Sequence, residues 1–330
     1  MRARRSVAAW CAGRSGGGWG ALSVVGRPWE SSQATHSHQR WPKMAGRPPD
    51  ASNVPPRWCA CGCAPAAHRT IPRVIVDIHT HLFPPRFIAE RARLAVSEPA
   101  FAEMYGDPKA KMATAHDLLA SMERAGVDVS VACGFWWRDP ALAAEHAAYL
   151  VEAARAAGGR LLAFVPTREA IDGAAGIGEV REPTPEGVPA STLPVLTHCS
   201  EEVGHAYAGK VGGLTPGALG RLLEARPQAR VIAAHWGGGF PFAALMPEVR
   251  ARFDRRVLFD SAASVYLYGP EVFRRVIDLA GLDTVAWGSD FPLRPQDVDR
   301  ASVDAALPDE QERAAILGGN AARFLGLASE

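Results

Sequence analysis

From Arg73 onward, short apolar runs alternate with amphipathic stretches, and no other feature of the chain restricts its fold as tightly. The runs cover 74–78, 127–133, 161–165, 176–180, 195–197, 231–234, 257–259 and 284–287. Most are near-continuous Val, Ile, Leu and Ala, the composition of strands covered on both faces in a parallel sheet. Helical patterns lie between them, at 115–125, 141–157, 216–225, 241–253 and 270–279, with a last one at 308–325. Several open with proline in the first turn, where its missing N–H costs nothing. Eight such units in ~250 residues predict an α/β fold of the (β/α)8 TIM-barrel type over 73–330, with a doubly wound open sheet as the alternative. Both folds carry their chemistry at the C-terminal ends of the strands.

Two connections are too short for a regular barrel. Ten residues (166–175) join the third run to the fourth, and thirteen (181–193) join the fourth to the fifth. A parallel crossover needs about a dozen residues or more and usually a helix. The second connection also contains Pro183, Pro185 and Pro189, which exclude a helix there. The expectation is a barrel with its third and fourth helices truncated. A gap or thin coil would then expose apolar strand surface, to be covered by the N-terminal segment or a partner subunit.

The 330 residues carry a net charge of +1, but unevenly. Residues 1–72 hold ten Lys/Arg against Glu30 and Asp50, and they contain Cys11, Cys59, Cys61, Cys63 and five of the nine Trp. With many Gly, Pro and Ser and no sustained apolar period, this part lacks the means to build a core and reads as a disordered extension. Arg4-Arg5 before Ser6–Ala9 would suit a twin-arginine signal, but the apolar run is too short and breaks at Arg14. A transit peptide would need an amphipathic helix, and C-x-C-x-C lacks the two-residue gap of zinc knuckles. The reading preferred here is sequence lying upstream of the true start. No stretch approaches the ~18 apolar residues of a membrane span. The expectation is a cytoplasmic protein with a small-molecule substrate, no nucleic-acid or membrane partner, and a homo-oligomer left open.

Metal-competent residues recur where the runs end. The first gives Asp77-Ile78-His79-Thr80-His81, in which residues two apart share a face of the strand, so His79 and His81 can grip one ion. The fifth ends in Thr197-His198, the sixth in Ala234-His235-Trp236-Gly237, the eighth in Gly288-Ser289-Asp290-Phe291-Pro292. A lone strand-end histidine is more often a hydrogen-bonded structural residue. Four strand ends in barrel register are hard to explain that way.

These motifs together resemble the amidohydrolase superfamily, in particular the branch containing aminocarboxymuconate-semialdehyde decarboxylase and many hydrolases. The resemblance runs over about 74–327, including Ile316-Leu317-Gly318-Gly319-Asn320-Ala321. It implies that His79, His81, His198 and Asp290 hold a divalent ion, usually zinc, while His235 polarises the substrate or serves a second ion. Imidazoles plus a carboxylate suit Zn²⁺, with Mn²⁺ and Fe²⁺ as alternatives. Bound water would be acidified from ~15.7 toward ~7. Asp290 would act as general base and then acid, and His235 would face the developing oxyanion. Glu179 in the fourth run stands where members with two ions often place a bridging carboxylate. It is a second-ion ligand or a supporting residue, so one ion or two stays undecided.

Substrate contacts are expected from Trp136, Arg138, His205 and Tyr207 in the loops after the strands. Cys133 and Cys199 read as small buried residues. The leading function is metal-dependent hydrolysis of an amide, ester or lactone. The alternatives are a metal-dependent nonoxidative decarboxylation on the same site, or a non-catalytic damaged remnant.

Overall fold

The computed structural model describes residues 74–327. The readings of residues 1–72, including the Cys59–Cys63 cluster, lie outside the described residues. Eight strands form one sheet in the order of the chain: β1 (Val76–His81), β2 (Val129–Cys133), β3 (Leu161–Val165), β4 (Gly176–Val180), β5 (Val195–Thr197), β6 (Val231–Ala233), β7 (Val257–Asp260) and β8 (Val285–Ala286). Every neighbouring pair is parallel. The Ile78 N–H donates to the Trp287 carbonyl at 3.0 Å and the His81 N–H to Phe291 at 2.6 Å, bringing β8 back to β1. This is the expected (β/α)8 barrel, and it rules out the open sheet.

Strand alternation divides the apolar residues into two cores. Val76, Ile78, Val131, Phe164, Leu196, Ile232 and Leu258 pack together inside the barrel, joined by Ala321 and Phe324 of the C-terminal helix (Asn320–Leu325). Gly318 leads into that helix beneath β1, and a Cβ there would fall 1.7 Å from the Val74 carbonyl oxygen. The outward residues of the strands, Val165, Ile177, Val195, Val231 and Val257 among them, pack against the helices.

Helix boundaries follow local chemistry. Thr114 and Asp117 form a reciprocal capping box for Ala115–Ala125, which ends on left-handed Gly126. Asp139 caps Pro140–Ala156, and Thr215 caps Pro216–Ala225. The helix expected at 241–253 is broken into a 3-10 segment (Phe240–Leu245) and one turn (Pro247–Arg250). Pro247 forces Met246 into extended backbone and ends the first piece. Three short helices absent from the sequence reading, Pro85–Ala89, Arg91–Ser97 and Pro99–Tyr105, follow β1, and Gln296–Ala306 follows β8.

Residues 166–175 and 181–194 contain no helix, as their length required. The apolar surface expected to be exposed there is not. Ile177, Val180 and Val195 are 0, 0 and 4% exposed, and Val188 of the second coil (3%) joins the same apolar core. The preceding helix also leans in: Val151 lies so near Gly173 that a Cβ there would meet it at 2.7 Å. The coil covers this side incompletely: a cavity of about 300 Å³ remains between it and the next helix, lined by Val188, Val195, Leu222 and Val231. Among the described residues no helix is long and apolar enough to cross a membrane.

Candidate metal centre

Six side chains, five of them buried and Asp290 partly so, converge at the C-terminal ends of β1, β4, β5, β6 and β8, in two groups: His79, His81 and Asp290, and Glu179, His198 and His235. In the first, His79 Nε2 lies 3.1 Å from His81 Nε2, and His81 Nε2 lies 3.3 Å from Asp290 Oδ1. In the second, His198 Nδ1 is 2.7 Å from Glu179 Oε1 and 3.2 Å from His235 Nε2. Glu179 also stands near the first group: its oxygens are 3.9 Å from His79 and 3.8 Å from His81, as well as 3.7 Å from His235. Of the four ligands grouped by the sequence, three gather as expected, while His198 sits with Glu179 and His235.

The outer nitrogens of two rings fix the protons. His235 Nδ1 faces the Ala262 carbonyl at 3.1 Å, and a carbonyl only accepts, so the ring proton sits on Nδ1. His79 Nδ1 donates to Asp260 Oδ2 at 2.9 Å. With Nδ1 carrying the proton in both rings, Nε2 of each faces other ring nitrogens and carboxylate oxygens. That crowding of acceptors calls for a cation among the atoms, either a second ring proton or a metal ion, and it is the way metal-binding imidazoles are oriented. The donor set fits a divalent transition ion.

The charges agree. Burial opposes ionisation of Glu179, yet His198 and Arg181 hold its carboxyl well below the usual range. Asp290 is likewise held low against burial by His81, His79 and His235. Burial works against a charge on His79, but Asp260 outweighs it and pushes the ring up to about 10. His198 is taken down to about 4 by burial and by Arg181. The two carboxylates and His79 thus favour positive charge in the site, while His198 resists gaining a proton of its own.

Backbone strain is concentrated here. Asp290 and His235 are left-handed, with φ of 58° and 55°, costing about 1–3 kcal/mol each for a non-glycine residue. Asp77 holds the turn that carries Asp290: its carboxylate accepts from the Ser289 N–H (3.0 Å), the Ser289 hydroxyl (2.5 Å), Gln296 Nε2 (2.8 Å) and the His79 N–H (3.2 Å). Asp260 does the same for β6, accepting from the His235 N–H at 2.9 Å as well as from His79.

A cavity of about 410 Å³ opens onto the centre, lined by His81, Glu179, His198, His235 and Asp290 below and by Met104, Tyr105, Lys111, Tyr266, Leu267 and Leu293 above. His205 and Tyr207 line it as expected. Trp136 and Arg138 do not, which corrects the sequence reading. The Trp136 indole donates to Glu182 at 3.0 Å under Arg168, and Arg138 is exposed beside Glu98. The neighbours Phe135 and Trp137 turn into a buried aromatic cluster instead, and that packing directs the loop away from the pocket. Asp260, Arg181 and Tyr105 were not foreseen. Asp260 and Arg181 carried a signal, a charged residue ending or following a strand; Tyr105 carried none.

A model of the amidohydrolase family matches residues 76–327. The chain belongs to this family. Its fold is similar to that of solved relatives at low identity. One is 5-carboxyvanillate decarboxylase from Sphingomonas paucimobilis, with a TM-score of 0.59 and 16% identity over 77% of this chain and 99% of that one. Another is 2,6-dihydroxybenzoate decarboxylase from Rhizobium, with a TM-score of 0.57 and 15% identity over 77% and 99%. A third is the 5-carboxyvanillate decarboxylase of Novosphingobium aromaticivorans, complexed with manganese and 4-hydroxy-3-methoxy-5-nitrobenzoic acid, with a TM-score of 0.59 and 14% identity over 77% and 96%. This chain thus shares a barrel with solved decarboxylases, one of them complexed with manganese, and its own strand ends supply two groups able to hold a metal.

Proposed function

We propose that this protein is a metal-dependent hydrolase that cleaves an amide, ester or lactone in a small substrate. We further propose that its centre takes two divalent ions, His79, His81 and Asp290 holding one and His198 and His235 the other, with Glu179 shared. The observation that carries this reading is the position of Glu179, within 4 Å of imidazole nitrogens in both groups. Zinc fits the nitrogen-rich donor set, with manganese as the alternative. Such ions, when bound, acidify water and polarise the scissile group.

Within this reading each residue has a defined task. Asp290 lies at the cavity floor as a carboxylate. It takes the proton of the attacking water and returns it to the leaving group. With its Nδ1–H committed to the Ala262 carbonyl, a metal-bound His235 would turn the Nε2 lone pair to the ion and act as a ligand rather than as a donor to the substrate carbonyl. Arg181, 3.4 Å from Glu179, keeps that carboxylate ionised.

A second reading is supported by the similar solved structures, which are decarboxylases of carboxylated phenols. A nonoxidative decarboxylation would use the same ligands, with Asp290 delivering a proton to carbon. One experiment separates the two: metal-loaded protein is offered esters, lactones, amides and hydroxylated benzoates in ¹⁸O water. Hydrolysis puts the label in the product; release of carbon dioxide without label in the organic product favours decarboxylation. Protein that cannot be loaded with metal ends both readings.

A further inference from the structure

With His235 committed as a ligand, the site needs another neutral donor for the substrate. Tyr105 lies on the last turn of Pro99–Tyr105, in the segment that crosses over the barrel mouth after β1. Its ring is held rigidly, stacked on Phe101 at 5.2 Å and edge-on to Phe83 at 4.9 Å and Phe135 at 6.0 Å. The side chain is more than nine-tenths buried, and it lines the cavity together with His81, Glu179 and Asp290. Among the described residues its hydroxyl has no hydrogen-bond partner, and it is not sealed from solvent either. A phenol fixed by three aromatic rings and left unpaired at one end is a donor waiting for an acceptor that the chain itself does not supply.

We infer that Tyr105 is a substrate-contacting residue, whose hydroxyl donates a hydrogen bond to a carbonyl or carboxylate oxygen of the molecule bound over the metal centre. The ligand class is a small molecule that brings an oxygen acceptor to the ions and an apolar body against Met104, Leu267 and Leu293. Burial and the nearby carboxylates of Asp290 and Glu179 push the phenol up, so it stays protonated throughout the working range and can only donate to such an oxygen. This inference rests on the metal-dependent reading above.

The test uses the full chain loaded with zinc, and benzohydroxamate as probe, since it carries two oxygens for the ions and a phenyl body. Tyr105→Phe removes one oxygen and keeps the ring, so the aromatic cluster stays intact. Calorimetric titration should show benzohydroxamate bound about tenfold more weakly by the variant. Zinc content and Tm should match wild type. Equal affinity in the two proteins overturns the inference while leaving the metal reading standing. So does a weaker affinity accompanied by lost zinc and a Tm lower by several degrees, which would make Tyr105 a packing residue. A wild-type protein that takes up no zinc ends the metal reading, and this inference with it.

Discussion

Replacing Asp260 by Asn tests whether ring tautomers are what make this centre a metal site. Asp260 Oδ1 accepts from the His235 and Ala262 N–H groups at 2.9 and 3.1 Å, and Oδ2 accepts from His79 Nδ1 at 2.9 Å. An Asn keeps its oxygen on the two backbone donors and so turns its NH₂ toward His79. Nδ1 must then accept, the ring proton moves to Nε2, and the lone pair facing His81 is lost. Loss of such a supporting partner typically weakens metal binding by about 10–100-fold, or about 1.4–2.7 kcal/mol. Competition with a chelator of known affinity measures this directly, with circular dichroism to confirm that the fold is retained. A metal affinity within twofold of wild type would refute the tautomer argument.

The same residue gives a pH dependence. His79 sits at about 10 in the metal-free fold against an ordinary 6.5. Its protonation therefore stabilises metal-free protein fully below about pH 6.5, and that contribution is lost as pH rises through about 10. Metal affinity runs the other way, increasing over the same window as the competing proton leaves. Thermal melts with and without metal from pH 6 to 10 should diverge; parallel curves would count against the assignment. Asp290→Asn should abolish turnover while retaining most of the bound metal, because it removes the base but spares a ligand oxygen; metal analysis beside the activity assay checks this. Val188→Ala should cost about 1–2 kcal/mol in denaturant melts, the scale of a buried aliphatic truncation, since Val188 is buried in the outer core from a coil that holds no helix. Deleting residues 1–72 should change stability by less than about 1 kcal/mol, and a larger loss would show that they pack on the barrel.

The barrel was legible because its signal is periodic and repeated. The runs at 161–165, 176–180 and 195–197 are the strands observed, and the helices at 115–125 and 216–225 match to the residue. The candidate ligands were legible because strand-end chemistry is local: His79 and His81 share a face by strand geometry alone. What failed to show was anything set by tertiary packing. Whether His198 joined His79 or Glu179 depends on ring orientation across the barrel. Trp136 was aimed away from the pocket by the burial of its two neighbours, and Val188 joined the core from a proline-rich coil. The helices of 85–105 were hidden by their shortness, five to seven residues each, below the length at which a helical period can be recognised.

The segment between β1 and the helix starting at Ala115 supplies Met104, Tyr105, Ala110 and Lys111 to the cavity, and only backbone beyond His81 joins it to the ligands. The candidate ligands stand at five strand ends, whereas one wall of the pocket above them comes from about thirty residues inserted after a single strand, the rest coming from the loops after β5, β7 and β8. Exchanging 82–114 for the corresponding stretch of another barrel of this family should therefore change which molecules fit along that wall without rebuilding the strand ends beneath it.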